Sequence, residues 1–137
     1  MNKVVVDSSV ILAIINSEID DDKLENLVKH DSVICSVNYT EILSKLVENT
    51  QDKITNKNID EFDRLLQLTY CKNIHQTDNE LNSLVGLLSM YRKKYNLSLG
   101  DRYCIALGAK LKLPVYTADR VWVNLKADYD VDIRLIR

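Results

Sequence analysis

The sequence predicts an α/β fold, a mostly parallel sheet covered by helices, and three observations support this. Short apolar runs rich in β-branched residues alternate with longer segments that repeat apolar residues at helical spacing. The runs are continuously apolar, which is typical of parallel strands buried on both faces. The chain has 137 residues, 46% of them hydrophobic, with only three glycines and one proline. One domain over residues 1–137 is therefore expected.

The first half of the chain is predicted to contain two strands and four helices. The valine run at residues 4–6 is followed by Ser8 and Ser9, which are candidate caps for the first helix. Ser36 or Asn38 is expected to cap the third helix, which has a clear apolar stripe. The predicted elements are strands at 4–6 and 33–35, and helices at 10–15, 20–30, 39–47 and 58–69.

The second half of the chain is predicted to add three strands and two helices. Thr77 and Glu80 have the spacing of a capping box before one long amphipathic helix that reaches Tyr95. Ser98 is expected to cap the next helix, and Pro114 separates that helix from a short strand. The predicted elements are strands at 70–74, 115–117 and 131–136, and helices at 77–95 and 99–111.

Four acidic residues from distant segments end predicted strands or open predicted helices: Asp7, Glu41, Asp101 and Asp119. Because ligands of open α/β sheets bind at the carboxyl ends of the strands, we expect these four side chains to share one pocket. Like charges that close repel, so a cation must neutralise them or some must bind protons. Carboxylate oxygens suit Mg²⁺ or Mn²⁺, and the absence of Cys and His from the set argues against zinc.

A divalent ion held by carboxylates can activate water and stabilise the charge that develops on a phosphodiester. The sequence has no nucleophile elbow, dinucleotide-binding fingerprint, phosphate-binding P-loop or zinc-protease motif that would indicate another chemistry. Each acid taken alone is equally suited to cap a helix or to face its dipole. The metal-site interpretation therefore depends on the four acids together.

Charge is distributed unevenly along the chain. The formal net charge of −2 is at first sight unfavourable for a nucleic-acid partner. However, residues 1–89 contain 8 Lys+Arg and 15 Asp+Glu, a net of −7, whereas residues 90–137 contain 10 and 5, a net of +5. The candidate phosphate contacts in this basic segment are Arg102, Arg120, Arg92, Lys93 and Lys94. For the last three, a solvated helix end is an equally good explanation.

The three cysteines and the N-terminal apolar stretch bear on the compartment. Cys35, Cys71 and Cys104 lie in apolar segments without metal-ligand spacing, so we expect buried free thiols in a reducing compartment. The apolar stretch at residues 4–15 is interrupted by polar residues and is too short to span a bilayer. A cytoplasmic protein without a membrane segment is expected.

Three segments have a distinctive wording: VVVDSSVILAI at 4–14, SVNYTEILSKL at 36–46 and LSLGDRYCIALGAKLKLPVYTADRVW at 97–122. Together they resemble PIN-domain ribonucleases, and among these the VapC-type toxins of bacterial toxin–antitoxin pairs. The resemblance extends over nearly the whole chain, which has the length of one PIN domain. It implies a three-layer α/β/α sandwich around a mostly parallel sheet.

The resemblance also implies a metal site, position by position. The family's four acids are matched by Asp7, Glu41, Asp101 and Asp119, which would hold Mg²⁺ or Mn²⁺. Ser9 and Thr117 match hydroxyl positions that often support the metal cluster. Trp122 stands where some relatives have a further acid, which leaves open whether one metal ion or two are bound.

Activity and partners follow from the same resemblance. It implies an endoribonuclease that hydrolyses RNA with a metal-activated water, inhibited by a cognate VapB-type antitoxin and commonly forming a homodimer. The helices that carry Ile42 and Leu46, and Leu65 and Leu66, are candidate antitoxin surfaces. Packing of these side chains in the core is the alternative.

Two other functions remain open from the sequence. A receiver-like Mg²⁺-binding signalling domain is also α/β with an acidic pocket, although no acid follows the third predicted strand at the position needed and no lysine ends a later strand. A non-catalytic PIN-like binding module is the other, and the presence of all four acids argues against it.

Overall fold

A five-stranded, entirely parallel sheet forms the centre of the molecule, and the strand order is β3-β2-β1-β4-β5. The structure is a computed structural model that describes residues 2–28, 30–50 and 55–136. This order differs from the 2-1-3-4-5 order of the flavodoxin-like sheet that receiver domains have. The strands are β1 (Lys3–Val6), β2 (Asp31–Cys35), β3 (Asn73–His75), β4 (Val115–Thr117) and β5 (Ile133–Leu135).

Among the described residues, seven helices and two 3₁₀ segments cover this sheet on both faces. The helices are α1 (Ser8–Ile15), α2 (Asp21–Val28), α3 (Ser36–Glu48), α4 (Asn56–Thr69), α5 (Asn79–Leu87), α6 (Arg92–Tyr95) and α7 (Leu99–Leu111). The 3₁₀ segments are Leu88–Tyr91 and Arg120–Ala127. Within the described residues no helix is both long enough and apolar enough to cross a membrane.

The central strand β1 shows how the two cores form. Its three valines are at most 3% exposed, and they alternate between the two faces of the sheet. Val5 packs in the core that contains α5, α7 and the second 3₁₀ segment. Val4 and Val6 pack in the other core, with α1, α3 and α4. The fold is therefore the three-layer α/β/α sandwich around a parallel sheet, as predicted.

The prediction of one long helix at 77–95 is wrong. The structure divides it into α5, the 3₁₀ segment Leu88–Tyr91 and α6, which ends at Asn96 in the left-handed conformation with φ 52°. Apolar residues three to four apart fit α and 3₁₀ geometry equally, so the pattern did not distinguish them. Asparagine tolerates the left-handed region better than most residues, and the turn it makes brings the chain to Ser98.

Several predicted helix starts are also corrected. Asp7 and Cys35 occupy the N-cap positions of α1 and α3, so Ser8 and Ser36 are the first helical residues rather than caps. Asp78, not Thr77, caps α5 by accepting a hydrogen bond from the Leu81 amide. The observed caps lie one and two residues before Ser8 and Ser9, one and three residues before Ser36 and Asn38, and one residue after Thr77, where extended backbone meets the first helical turn.

Other element bounds shift slightly. The third strand begins three residues later than predicted, and the last strand is shorter than predicted. The 3₁₀ segment Arg120–Ala127 had not been predicted. The predicted helix at 20–30 is shorter as α2, and Lys29 lies outside the described residues. Ser98 caps α7 as predicted. Cys35, Cys71 and Cys104 are buried free thiols, also as predicted.

The side chains considered as an antitoxin surface are divided between core and solvent. Ile42 is 0% and Leu66 is 5% exposed, and both belong to the core under α3 and α4. For these two the alternative of core packing is correct, because each lies on the helix face turned to the sheet. Leu65 is 56% exposed.

Gly108 marks the closest approach of α7 to the sheet. A Cβ atom added there would overlap Val115 Cγ2 on β4 and lie 3.4 Å from the Leu113 carbonyl oxygen. We expect Gly108→Ala to lower the free energy of unfolding by about 1–3 kcal/mol, because the added methyl group overpacks this contact. Urea unfolding measures the change. Gly86→Ala is the matched control, since nothing lies within 4 Å of a Cβ there; a control as destabilised as the Gly108 variant would refute the packing argument.

Candidate metal centre

The four predicted acids come to the carboxyl-end edge of the parallel sheet. Asp7 follows β1 directly, and Glu41 lies in the second turn of α3, which follows β2. Asp101 lies in the first turn of α7, and Asp119 follows β4, the strand next to β1. Charge–charge interactions join Asp7 to Asp101 and Glu41, and join Asp101 to Glu41 and Asp119. Four segments far apart in the chain thus bring negative charge to one place.

The four carboxylates are neighbours but do not form a compact group of ligands. Among the residues that the structure describes, no three His, Cys, Asp or Glu side chains lie close enough together to hold a metal ion. Like charges repel, and each carboxylate is instead held by donors from its own surroundings. These individual hydrogen bonds define what each acid can offer a ligand.

Asp7 is the buried member of the group. Its side chain is 4% exposed, and Oδ2 accepts hydrogen bonds from Ser9 Oγ at 2.7 Å and Thr117 Oγ1 at 3.2 Å. Burial raises the pKa of Asp7 to about 6, and the charges of Asp101 and Glu41 act in the same direction against the two hydroxyl donors. A divalent cation beside Asp7 would favour its ionised form and lower its pKa.

Glu41 is held from two sides through one oxygen. Ser8 Oγ donates to Glu41 Oε1 at 3.3 Å, and Asn38 Nδ2 donates to the same oxygen at 2.8 Å. Asn38 is one turn earlier in α3, and Ser8 is the first residue of α1. The position of this carboxylate therefore depends on two different helices.

Asp101 and Asp119 each take part in a helix start as well. Asp101 Oδ2 accepts from the Ser98 amide at 2.9 Å and so completes the capping box of α7. Burial raises the pKa of Asp101, partly offset by its bonds with Ser98 and supported by the charges of Glu41 and Asp119. Asp119 Oδ1 accepts from the Val121 amide at 3.0 Å. The capping role considered for each acid alone is therefore real for these two.

Hydrogen bonding and metal binding do not compete at three of the four acids, because each of those carboxylates uses only one of its oxygens. Within the described part of the chain, the hydrogen bonds to Asp7, Glu41 and Asp119 each end on one carboxylate oxygen, whereas Asp101 interacts with both the amide and the hydroxyl of Ser98. The oxygens left without a donor are Asp7 Oδ1, Glu41 Oε2 and Asp119 Oδ2. Carboxylate oxygens suit a hard divalent cation such as Mg²⁺ or Mn²⁺, and the four side chains would have to move closer together to bind one ion.

The two predicted hydroxyl residues connect the ends of β1 and β4. Ser9 Oγ accepts from the Ala118 amide at 3.1 Å while it donates to Asp7. Thr117 is fully buried, and its hydroxyl accepts from the Asp119 amide at 3.1 Å while it donates to Asp7. Ser9 and Thr117 thus fix Asp7 and the loop that carries Asp119 relative to each other.

Two residues at the site had not been singled out for it from the sequence. Asn38 is fully buried between Glu41 and α7, where Nδ2 also donates to the Gly100 carbonyl at 2.9 Å. A Cβ atom added at Gly100 would lie 2.6 Å from Glu41 Cδ. A signal existed for Asn38, since it is a polar residue on the inner face of α3, three residues before Glu41. Nothing local to Gly100 indicates that Glu41 lies against it.

The basic residues predicted to contact phosphate are in different situations. Arg120 is exposed and directly follows Asp119. Arg102 is half-buried, and its guanidinium donates to Ser89 Oγ and to the Ser98 carbonyl. Lys94 forms an ion pair with Asp128 at 2.8 Å, whereas Arg92 and Lys93 are exposed on the short helix α6. Arg102 and Arg120 each directly follow one of the four acids in the sequence.

Comparison with known families and structures identifies the family and the fold. The sequence model of the family described as PIN domain matches residues 4–127 of this chain. Comparison with curated protein sequences gives no significant match.

Solved structures similar to this chain include two toxin–antitoxin proteins of the VapBC group. VapBC-1 from nontypeable Haemophilus influenzae has a TM-score of 0.72 at 14% identity, and the match covers 98% of each chain. VapBC2 from Rickettsia felis, bound to a DNA fragment from its promoter, has a TM-score of 0.70 at 15% identity over 97% of this chain and 98% of that one.

FitAcB from Neisseria gonorrhoeae has a TM-score of 0.66 at 15% identity, with 95% of each chain covered. At these identities the likeness concerns the fold.

Proposed function

Because this chain belongs to the PIN-domain family, we propose that it is an endoribonuclease that depends on Mg²⁺ or Mn²⁺. The observation that carries the proposal is the set of four carboxylates that distant segments bring to one sheet edge. Such a site needs no histidine base or cysteine nucleophile. Cys35 and Cys104 lie near the acids, but burial raises the pKa of both thiols, which disfavours the nucleophilic thiolate. All four acids have the same hard-oxygen chemistry.

Asp7, Glu41, Asp101 and Asp119 would hold the metal ion. When bound, the ion supplies a Lewis acid that activates water and offsets negative charge on an RNA phosphodiester. Ser9 and Thr117 keep Asp7 in place from one side, which leaves its other oxygen available. Burial of Asp7 excludes water from the inner side of the site, which strengthens every charge interaction there.

The basic residues would bind the RNA backbone. Arg120 lies next to Asp119 and is exposed, so it is suited to hold a phosphate at the edge of the site. Arg102 carries its charge one residue after Asp101, with its orientation set by Ser89 and Ser98. Arg92 and Lys93 extend the positive surface, whereas Lys94 is engaged by Asp128. Each bound cation would also reduce the negative charge that the RNA meets.

A biological role follows from the structural relatives. The similar structures are toxin–antitoxin proteins whose chains this one covers almost entirely, with 98% coverage of VapBC-1. We propose that this chain is likewise a toxin, that a VapB-type antitoxin protein inhibits it, and that it forms a homodimer. RNA as the substrate would place its action in the cytoplasm.

Incubation of the purified chain with a short single-stranded RNA tests the activity. Cleavage is expected with Mg²⁺ or Mn²⁺. No cleavage is expected with excess EDTA or in a buffer without divalent metal ions. Asp101→Asn, purified in the same way, reports any contaminating nuclease. Mapping the new RNA ends identifies the bond that is broken.

Two results would contradict the proposal. Equal cleavage by the wild type and Asp101→Asn would mean that the four acids do not perform the reaction. Tight Mn²⁺ binding without cleavage of any RNA tested would instead favour the non-catalytic binding module.

A further inference from the structure

Asn38 connects the Glu41 carboxylate to helix α7. Its side chain is 0% exposed, and Nδ2 donates to Glu41 Oε1 at 2.8 Å and to the Gly100 carbonyl at 2.9 Å. Gly100 immediately precedes Asp101 in the first turn of α7. One amide group therefore binds an acid on α3 and the backbone beside an acid on α7.

The orientation of this amide follows from its partners. A carboxylate oxygen and a backbone carbonyl can only accept hydrogen bonds, so both must face the NH₂ group of Asn38 rather than its oxygen. The two amide hydrogens are then both used. Asn38 Oδ1 is left buried without a partner among the described residues.

The buried, unpaired oxygen argues against a role of Asn38 in stability alone. An unsatisfied buried acceptor costs free energy, and an apolar side chain of similar size would avoid this cost. What an apolar side chain lacks is the pair of donors. The two hydrogen bonds that Asn38 donates, and not its packing, therefore explain why an asparagine occupies this position.

Glu41 needs such a support more than the other acids do. Asp7 is gripped by two hydroxyls, and Asp101 and Asp119 are short side chains held by backbone amides. Glu41 has one more rotatable bond and bears no backbone hydrogen bond in the described structure. Its other donor, Ser8 Oγ, is more distant at 3.3 Å.

We propose that Asn38 is a positioning residue that holds the Glu41 carboxylate against α7, beside Asp101, so that both acids can bind the same divalent ion. This inference rests on the proposed function only in that the ligand is a metal ion. The position of the Glu41 carboxylate then depends on a second, uncharged residue of the same helix.

Mn²⁺ titration of the metal-free protein by calorimetry tests this directly. Asn38→Leu keeps the size and removes both donors, and its Kd for Mn²⁺ is expected to be about 10–100-fold weaker than that of the wild type. Tyr39→Phe is the matched control. Tyr39 is the next residue in α3, is also buried, and donates to the Asp63 carbonyl at 3.1 Å on the side away from the acids. Its Kd is expected to stay within about twofold of the wild type.

Exchange of the Asn38 side-chain amide with solvent, followed by ¹⁵N NMR, tests the contacts without any change at Asn38. In the metal-free wild type both side-chain amide hydrogens of Asn38 are hydrogen-bonded, so slow exchange is expected. Glu41→Ala should accelerate this exchange by at least about tenfold. This measurement keeps the proposal testable if Asn38→Leu does not fold.

The outcomes separate the two proposals. An Asn38→Leu protein that binds Mn²⁺ as tightly as Tyr39→Phe, or an Asn38 amide that exchanges as fast in the wild type as in Glu41→Ala, overturns the positioning role. Wild-type Mn²⁺ binding that depends on Asn38, without any RNA cleavage, overturns the proposed function and leaves the positioning role supported.

Discussion

Replacing Asp7 with asparagine is expected to abolish RNA cleavage and, at pH 8, to raise the free energy of unfolding by about 3 kcal/mol. The variant loses the buried charge that the site uses. Because asparagine keeps an oxygen for the Ser9 and Thr117 hydroxyls, it retains the two hydrogen bonds that hold Asp7. The same change is thus expected to remove function and increase stability.

The pH dependence follows from the raised pKa of Asp7, about 6 in the folded chain and near 4 in the unfolded one. Between these values the folded protein binds more protons than the unfolded one, so stability falls as the pH rises. Above about pH 6 the full free-energy cost of burying the charged Asp7 is present, and below about pH 4 this cost is absent. The advantage of Asp7→Asn should therefore be largest at pH 7–8 and vanish near pH 4.

Urea unfolding of the metal-free proteins from pH 4 to pH 8 measures this difference. Asp60→Asn, at an exposed position on α4, is the control and is expected to change neither stability nor cleavage. Adding Mn²⁺ should stabilise the wild type and not Asp7→Asn, since only the wild type retains the charged ligand. Equal stability of the two proteins at pH 8 would contradict the cost of burying Asp7, and retained cleavage would contradict its place in the site.

Gly100→Ala is expected to weaken Mn²⁺ binding and slow cleavage by about 10–100-fold, while the protein stays as stable as the wild type or gains up to about 1 kcal/mol. The added methyl group would lie 2.6 Å from Glu41 Cδ, so the carboxylate must move away. The end of a glutamate side chain moves at little cost to the fold, and alanine favours the helix over glycine. Function is therefore expected to be lost without loss of stability.

Gly108→Ala, eight residues later in the same helix, is the opposite case. There the methyl group would meet Val115 in the sheet, so stability and not metal affinity is expected to suffer. Calorimetric Mn²⁺ affinity and urea unfolding of both variants test the contrast. A Gly100→Ala protein that binds Mn²⁺ like the wild type would show that the position of Glu41 does not matter for the site.

The strands and the acids were the parts most accessible from the sequence. The valine run at β1 is apolar throughout because both faces of the sheet are covered, and an acid ends it where the chain leaves the core. Ser98 was identified as the cap of α7 because it directly precedes the apolar helical pattern. These features could be predicted because each depends on residues that are close together in the sequence.

The supports of the acids were less accessible because they depend on contacts between distant segments. Asn38 contacts Gly100 across 62 positions in the chain, and no local pattern links the two. The division of the predicted helix at 77–95 was missed for another reason: the apolar spacing continues through the 3₁₀ segment Leu88–Tyr91, and this spacing fits α and 3₁₀ geometry equally. The predicted roles of Asp7, Glu41, Asp101 and Asp119 in metal binding remain predictions that the experiments above test.

The pairing of β4 with β1 has a consequence for synthesis of the chain on the ribosome. β1 is made first, but its partner β4 begins only at Val115, and the Thr117 hydroxyl that holds Asp7 comes 110 residues after it. A nascent chain that stops before β4 contains Asp7 and Glu41 without Asp119 or the strand that fixes them together. We therefore expect the four acids to bind a metal ion only after β4 and Asp119 have been synthesised, so that a chain that stops before Val115 would lack the complete site.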